Sequence, residues 1–199
     1  MTTKATGAFA ESWATMAVVT AMVALLRGVN VGGRKLPMAD LRRVAESCGL
    51  TSVATYIQSG NVVFETPARS TTKVAAELSA AIAADCGMDV AVTVRTRAEL
   101  DAVVAASPFA SRTDELTHLH VVFHVGAAHT VPEWYDPERF APEELAVVGG
   151  ETYLYLPGGM GRSVLAAELT KRSNRKGGEP GTARNWRTVL VLADMLHAL

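Results

Sequence analysis

The ten residues VVTAMVALLR, from Val18 to Arg27, carry Val18, Val19, Met22, Val23, Leu25 and Leu26 and no charge before Arg27. A short apolar run of this kind predicts a buried strand. Outward from it, residues 27–37 form a Gly-rich, basic loop, and residues 38–49 read as a helix. There Leu41, Val44, Ala45 and Cys48 recur at three-four spacing, Arg42, Arg43 and Glu46 take the other side, and Gly49 stops the helix. Residues 52–58 and 61–65 are two β-rich runs joined by a Ser59-Gly60 hairpin turn. Residues 70–86 predict an Ala-rich helix with Val74, Leu78, Ala81 and Ile82 on one stripe and Gly87 at its end. A strand over 90–95 and a short helix over 98–106 follow. Strand, helix, two strands, helix, strand is the order of the split βαβ, or ferredoxin-like, unit.

The second half is looser. A strand is expected over 116–125, a hairpin over 145–148 and 152–156 around Gly149-Gly150, and a helix over 162–169. Residues 171–181 read as a polar, basic, Gly-rich loop, and 185–199 as a closing helix with Trp186, Val189, Leu190, Ala193 and Leu196 as its apolar face. The fold class expected is α+β, with two packed α+β subdomains at 18–106 and 107–199, the first ferredoxin-like. Residues 1–17 are expected to form a disordered or extended tail. No sequence repeat links the halves.

Of 199 residues, 49% are hydrophobic and 20% charged, enough apolar surface to bury a core, so global disorder is excluded. No apolar run of about 18 residues is free of charge, so no membrane-spanning helix is expected. Near the N-terminus Glu11, Ser12 and Trp13 interrupt any signal-peptide centre. Cys48 and Cys86 lack CxxC or Cys/His spacing and read as reduced thiols of a cytoplasmic protein.

The net charge of -1 does not mark a nucleic-acid binder, but the charge is unevenly placed. Arg27, Arg34, Lys35, Arg42 and Arg43 stand against Asp40 alone, a local balance of +4. Arg162, Lys171, Arg172, Arg175, Lys176, Arg184 and Arg187 stand against Glu168 and Glu179, a balance of +5, which leaves the rest of the chain at -10. Brought together, the two segments would form one positive cleft. Paired with the acidic remainder, they would be ordinary solvated surface.

Four groups of residues are candidates for chemistry. The loop RGVNVGGRK, residues 27–35, leaves a strand and enters a helix, where glycines let backbone N–H groups approach an anion. Its spacing is neither a P-loop nor a dinucleotide fingerprint, and its glycines also fit a tight turn needing positive φ. In TARNWR, residues 182–187, Thr182 would cap the helix, placing Arg184 and Arg187 near its first turn. Cations there oppose the helix dipole, so an anion or a carboxylate must offset them. Trp186 is expected in the core. Ser59, Gly60 and Asn61 are explained by turn chemistry, and no G-x-S-x-G elbow is present. His118, His120 and His124 share one strand parity, but no third zinc ligand is assured, so no metal and no cofactor are expected. Glu143-Glu144 reads as a loop or strand edge.

Three segments carry a resemblance. ALLRGVNVGG at 24–33, followed by Met38 and Leu41, resembles the opening motif of the bacterial family called domain of unknown function 1697. TYIQSGNVVF at 55–64 resembles its second motif, and TARNWRTV at 182–189 its C-terminal motif, so the likeness runs from about 22 to 195. The resemblance implies a cytoplasmic protein of two α+β subdomains whose N-terminal tail is an extension. It implies no established reaction, so it assigns no catalytic residue. The three histidines match no motif of that family.

The leading expectation is a phosphate-bearing ligand (a nucleotide, nucleic acid or phosphorylated metabolite) bound in a basic cleft. Arg27, Lys35, Arg184 and Arg187 would contact the anion, Asn30, Ser59, Asn61 and Asn185 would give directed hydrogen bonds, and Gly32 and Gly33 would let the backbone approach. The alternatives are a hydrolase or transferase acting on a phosphorylated metabolite, for which the sequence names no acid or base, and a protein-interaction module with no small ligand. Oligomeric state is left open.

Overall fold

A computed structural model describes residues 19–33, 35–67, 70–112, 116–126, 129–176, 178 and 180–199. The expected tail at 1–17 lies outside the described residues, as do Arg34 and Glu179. The first half runs β1 (Val19–Leu26), α1 (Met38–Ser47), β2 (Thr51–Tyr56), β3 (Asn61–Pro67), α2 (Thr71–Cys86), β4 (Val92–Thr96), α3 (Arg97–Ala105). Its four strands form one sheet in the order β2-β3-β1-β4, so each βαβ crossover straddles one antiparallel neighbour. That is the arrangement the element order predicts.

The second half runs β5 (Leu119–His124), α4 (Pro137–Phe140), β6 (Glu144–Val148), β7 (Glu151–Tyr155), α5 (Val164–Ser173), β8 (Gly181–Asn185), α6 (Trp186–His197). Its sheet has the order β6-β7-β5-β8, the same interleaving as the first. The structure is therefore doubled where the sequence is not.

Side-chain parity builds the layers. Met22, Ala24 and Leu26 of β1 pack with α1 and α2, whereas Val23 and Leu25 face the opposite way. That opposite face meets Leu119, Val121, Phe123 and Tyr153 of the second sheet, with α3 and α6 completing the layer between them. Trp186, Val189, Leu192 and Leu196 of α6 lie in this shared core, as expected for Trp186. The unbroken apolar run of β1 is thus a strand covered on both faces.

Two expectations are corrected here. The closing segment does not enter its helix at Thr182: residues 181–185 form strand β8, and Asn185 is the cap, its Oδ1 accepting the Arg187 N–H at 3.0 Å. Thr182 and Arg184 instead pair with Phe123 and Val121, on the face turned toward the first sheet. Helix α5 also continues past residue 169 to Ser173. Among the described residues no helix is long and apolar enough to cross a membrane.

The β2–β3 turn shows why a glycine sits at position 60. Gly60 has φ +70°, and a Cβ there would lie 2.5 Å from Val29 Cγ2 and 2.8 Å from Leu26 Cβ. Its carbonyl accepts the Leu26 N–H at 2.8 Å, locking the turn onto the end of β1. Position 60 thus serves close packing as well as turn geometry.

Candidate functional site

The two sheets are covered unequally. The outer face of the first carries helices of 10 and 16 residues, α1 and α2; that of the second carries α5 with 10 and α4 with only 4. Phe140, Leu145, Leu154, Leu156 and Leu165 form a small core there. The strip left over, with Val122, His124, Thr152 and Gly181, lines a cleft of about 1350 Å³ instead. Its facing wall is the end of β1 and the loop after it, with Arg27, Gly28, Val31 and Gly32. The last turn of α5 closes one side through Arg172, Ser173 and Asn174.

The two basic segments meet at this cleft. Arg27 donates through Nη2 to Ser173 Oγ at 3.1 Å and to Asn174 Oδ1 at 2.7 Å. Arg184 reaches the same strand end from below, with Nη2 2.8 Å from the Leu26 carbonyl and 3.0 Å from that of Ser59. The charges are not pooled, however. Arg43 pairs with Asp85, Arg172 with Glu168, and Arg42 donates to Thr55.

Arg184 is a buried guanidinium facing only neutral acceptors. Nε donates to Asn61 Oδ1, Nη1 to Thr182 Oγ1 and the Ala183 carbonyl, and Nη2 to the carbonyls of Leu26, Ser59 and Gly60. Every N–H it owns is thereby committed. Burial pulls its pKa down to about 10, still far above neutrality, so the group stays charged. Asn61 is fully buried, with its amide N–H groups given to the Tyr56 carbonyl and Ser59 Oγ. Asn30, at φ 56°, holds the basic loop closed by bonding both the N–H and the carbonyl of Leu36 and the Gln58 carbonyl.

Of the ten residues expected at an anion site, Arg27, Gly32, Ser59 and Arg184 line the cleft. Asn30 and Asn61 stand behind its wall and hold the loops that form it. Gly33 and Lys35 are exposed beyond the lining. Asn185 gives its amide to the Thr117 carbonyl and caps α6, and Arg187 is exposed on that helix. Gly28, Gly32 and Gly33 all have positive φ, so backbone geometry accounts for the glycines.

The cleft also holds residues outside the ten expected at the anion site. Chief among them is His124, whose Nε2 lies 2.9 Å from Thr152 Oγ1 and whose ring stacks on His129 at 3.8 Å. Its Nδ1 is buried with no hydrogen-bond partner, and beneath it a Cβ on Gly181 would come within 3.1 Å. Burial first, then His129 and Arg95, push its pKa down to about 4. His120 is buried and shifted the same way by burial, while His118 sits edge-on to Tyr155. Among the described residues no three His, Cys, Asp or Glu side chains are grouped to hold a metal ion.

The His124 shift sets a pH dependence. The folded pKa lies below the unfolded value of 6.5, so the unfolded chain binds the extra proton. The resulting stability is present above about pH 6.5 and is lost as pH falls through about 4, a change of roughly 3 kcal/mol. Urea unfolding at pH 7, 5.5 and 4 should show this slope, and His124→Asn should flatten it. Equal slopes in both proteins would contradict the assignment.

Fold and cleft together define a two-sheet α+β protein with a concave site between its halves. The chain belongs to the family described as "Protein of unknown function (DUF1697)", whose model matches residues 19–153. The match stops short of the 182–189 segment, narrower than the span read from the motifs. In the solved structures, the chain is similar to the conserved bacterial protein SP0830 from Streptococcus pneumoniae. That match has a TM-score of 0.69 and 22% identity, and covers 90% of this chain and 99% of that one. At this identity the likeness establishes a shared fold. No curated protein matches the chain.

Proposed function

We propose that the protein binds a phosphate-bearing small molecule in the cleft between its two halves. The observation that carries this reading is Arg27. Its guanidinium lies on the cleft wall and meets two neutral acceptors, Ser173 Oγ and Asn174 Oδ1, and no ion pair among the described residues offsets its charge. Gly28 and Gly32 line the same cleft, and lacking side chains they let a ligand come close to the backbone. Arg184, by contrast, is spent on holding the wall together, so the anion contact falls to Arg27. The cleft exceeds the usual 300–1,000 Å³ of small-molecule sites, leaving room for more than an inorganic anion. The reading favours a cytoplasmic setting, where thiols such as Cys48 and Cys86 stay reduced.

Thermal unfolding against inorganic phosphate, nucleotides, short RNA and short DNA tests it. A ligand at about a hundred times its Kd stabilises by about 2.7 kcal/mol, a rise in Tm of roughly 5–10 °C for a chain of this size. Arg27→Gln keeps a donor toward Ser173 and Asn174 but removes the charge, and should abolish the rise. No shift with any of these anions overturns the reading.

A further inference from the structure

A simple anion site does not need the aromatic surface this cleft presents. Trp134 lines the cavity and is half-buried, unlike the core residue Trp186. Its surroundings fix the indole: the Arg172 guanidinium lies 4.7 Å from the ring centroid, held by Glu168 at 2.6 Å, and Phe140 meets the ring edge-on at 6.0 Å. His129, steadied by its stack on His124, and the Met160 thioether line the same cavity. Flat, polarizable groups of this kind suit the face of a planar ring.

The ring surface and the guanidinium are tied together by consecutive residues. Arg172 packs on Trp134, and the next two residues, Ser173 and Asn174, accept from Arg27. The last turn of α5 therefore sets one relative to the other. A ligand that satisfies both carries a flat ring and an anion in one small molecule. A single-stranded nucleic acid asks for something different: a row of stacking side chains along a basic groove. Here one indole and one guanidinium without an ion pair among the described residues share the lining of one cleft.

We infer that the cleft takes a free mononucleotide, with its phosphate at Arg27 and its base against Trp134. This rests on the phosphate reading above and names the ligand class for the same site. A sugar phosphate meets only half of the lining. A nucleoside meets only the other half.

The test is titration calorimetry on the full chain with inorganic phosphate, ribose 5-phosphate, adenosine, guanosine, the four nucleoside 5′-monophosphates and a short RNA. At least one monophosphate should bind at least about 10-fold more tightly than ribose 5-phosphate, the scale of one stacked base. Trp134→Leu should erase that advantage, and Trp134→Phe should keep most of it. If Trp134→Leu does not fold, the wild-type ratio decides. Ribose 5-phosphate binding as tightly as every nucleotide, and still requiring Arg27, overturns the base subsite and leaves the phosphate reading standing. Silence from every phosphate overturns both. RNA binding more tightly than any monophosphate, with a steep fall in salt, overturns the choice of a free mononucleotide.

Discussion

Arg184→Ala is expected to lower stability by at least about 4 kcal/mol, because each buried acceptor it orphans costs about 1–3 kcal/mol. The acceptors outside its own strand come from three places: the end of β1 at Leu26, the turn at Ser59 and Gly60, and Asn61 at the start of β3. Arg184→Met refills the aliphatic volume yet supplies no donor to any of these acceptors, so it should lose nearly as much. Arg184→Lys offers three donors in place of five and should recover part of the loss. Urea unfolding with unchanged m-value measures it. A loss under about 1 kcal/mol for Arg184→Met would mean that water satisfies those carbonyls.

The second large effect is expected at Glu151. Its carboxylate is 4% exposed and joins the two sheets, with Oε1 taking Arg95 Nε at 2.8 Å and Nη2 at 2.6 Å, and Oε2 taking the His124 N–H at 3.0 Å. Arg95 Nη2 also donates to the His124 carbonyl at 2.7 Å. Glu151→Ala strips the carboxylate from this arginine and should cost about 3–5 kcal/mol. A buried pair replaced on both sides by apolar groups is often close to neutral. The double variant Arg95→Met, Glu151→Leu should therefore be more stable than the sum of its single losses predicts. Strict additivity in that cycle would sink the claim that the two groups act as a pair.

The first sheet was legible in the sequence because most of its buried positions are apolar and the helices that cover it, α1 and α2, end at Gly49 and Gly87. Val18 to Leu26, the Leu41-Val44-Ala45 stripe and the Val74-Leu78-Ile82 stripe each carry their own period. Strand β8 was not legible for the opposite reason. Its two buried residues are Thr182 and Arg184, buried because carbonyls of the first half receive them, and periodicity of hydrophobicity cannot register such positions. The loop at 27–35 was rightly read as leaving a strand and entering a helix, but whether a polar residue there faces a ligand or holds a wall depends on partners outside it: Asn30 bonds Leu36 and Gln58, and Arg27 bonds Ser173 and Asn174, 146 and 147 residues on. Trp134, Thr152 and Asn174 left no local signal. They belong to the site because helix α4 is one turn long, a fact about what fails to cover a sheet.

Helix α6 follows every other described element, yet it packs on β1 and β3 of the first sheet. Val23, Leu25 and Val63 share one core with Val189, Leu192 and Leu196. During synthesis the N-terminal half therefore emerges with that face of its sheet covered only by α3. The cover is completed only after residues 186–197 have left the ribosome. Folding from the N-terminus onward can complete the layer of α1 and α2 early, but the central layer waits for α6. A nascent chain stalled before residue 186 would display a sticky sheet face, a natural substrate for chaperones that scan for exposed apolar surface.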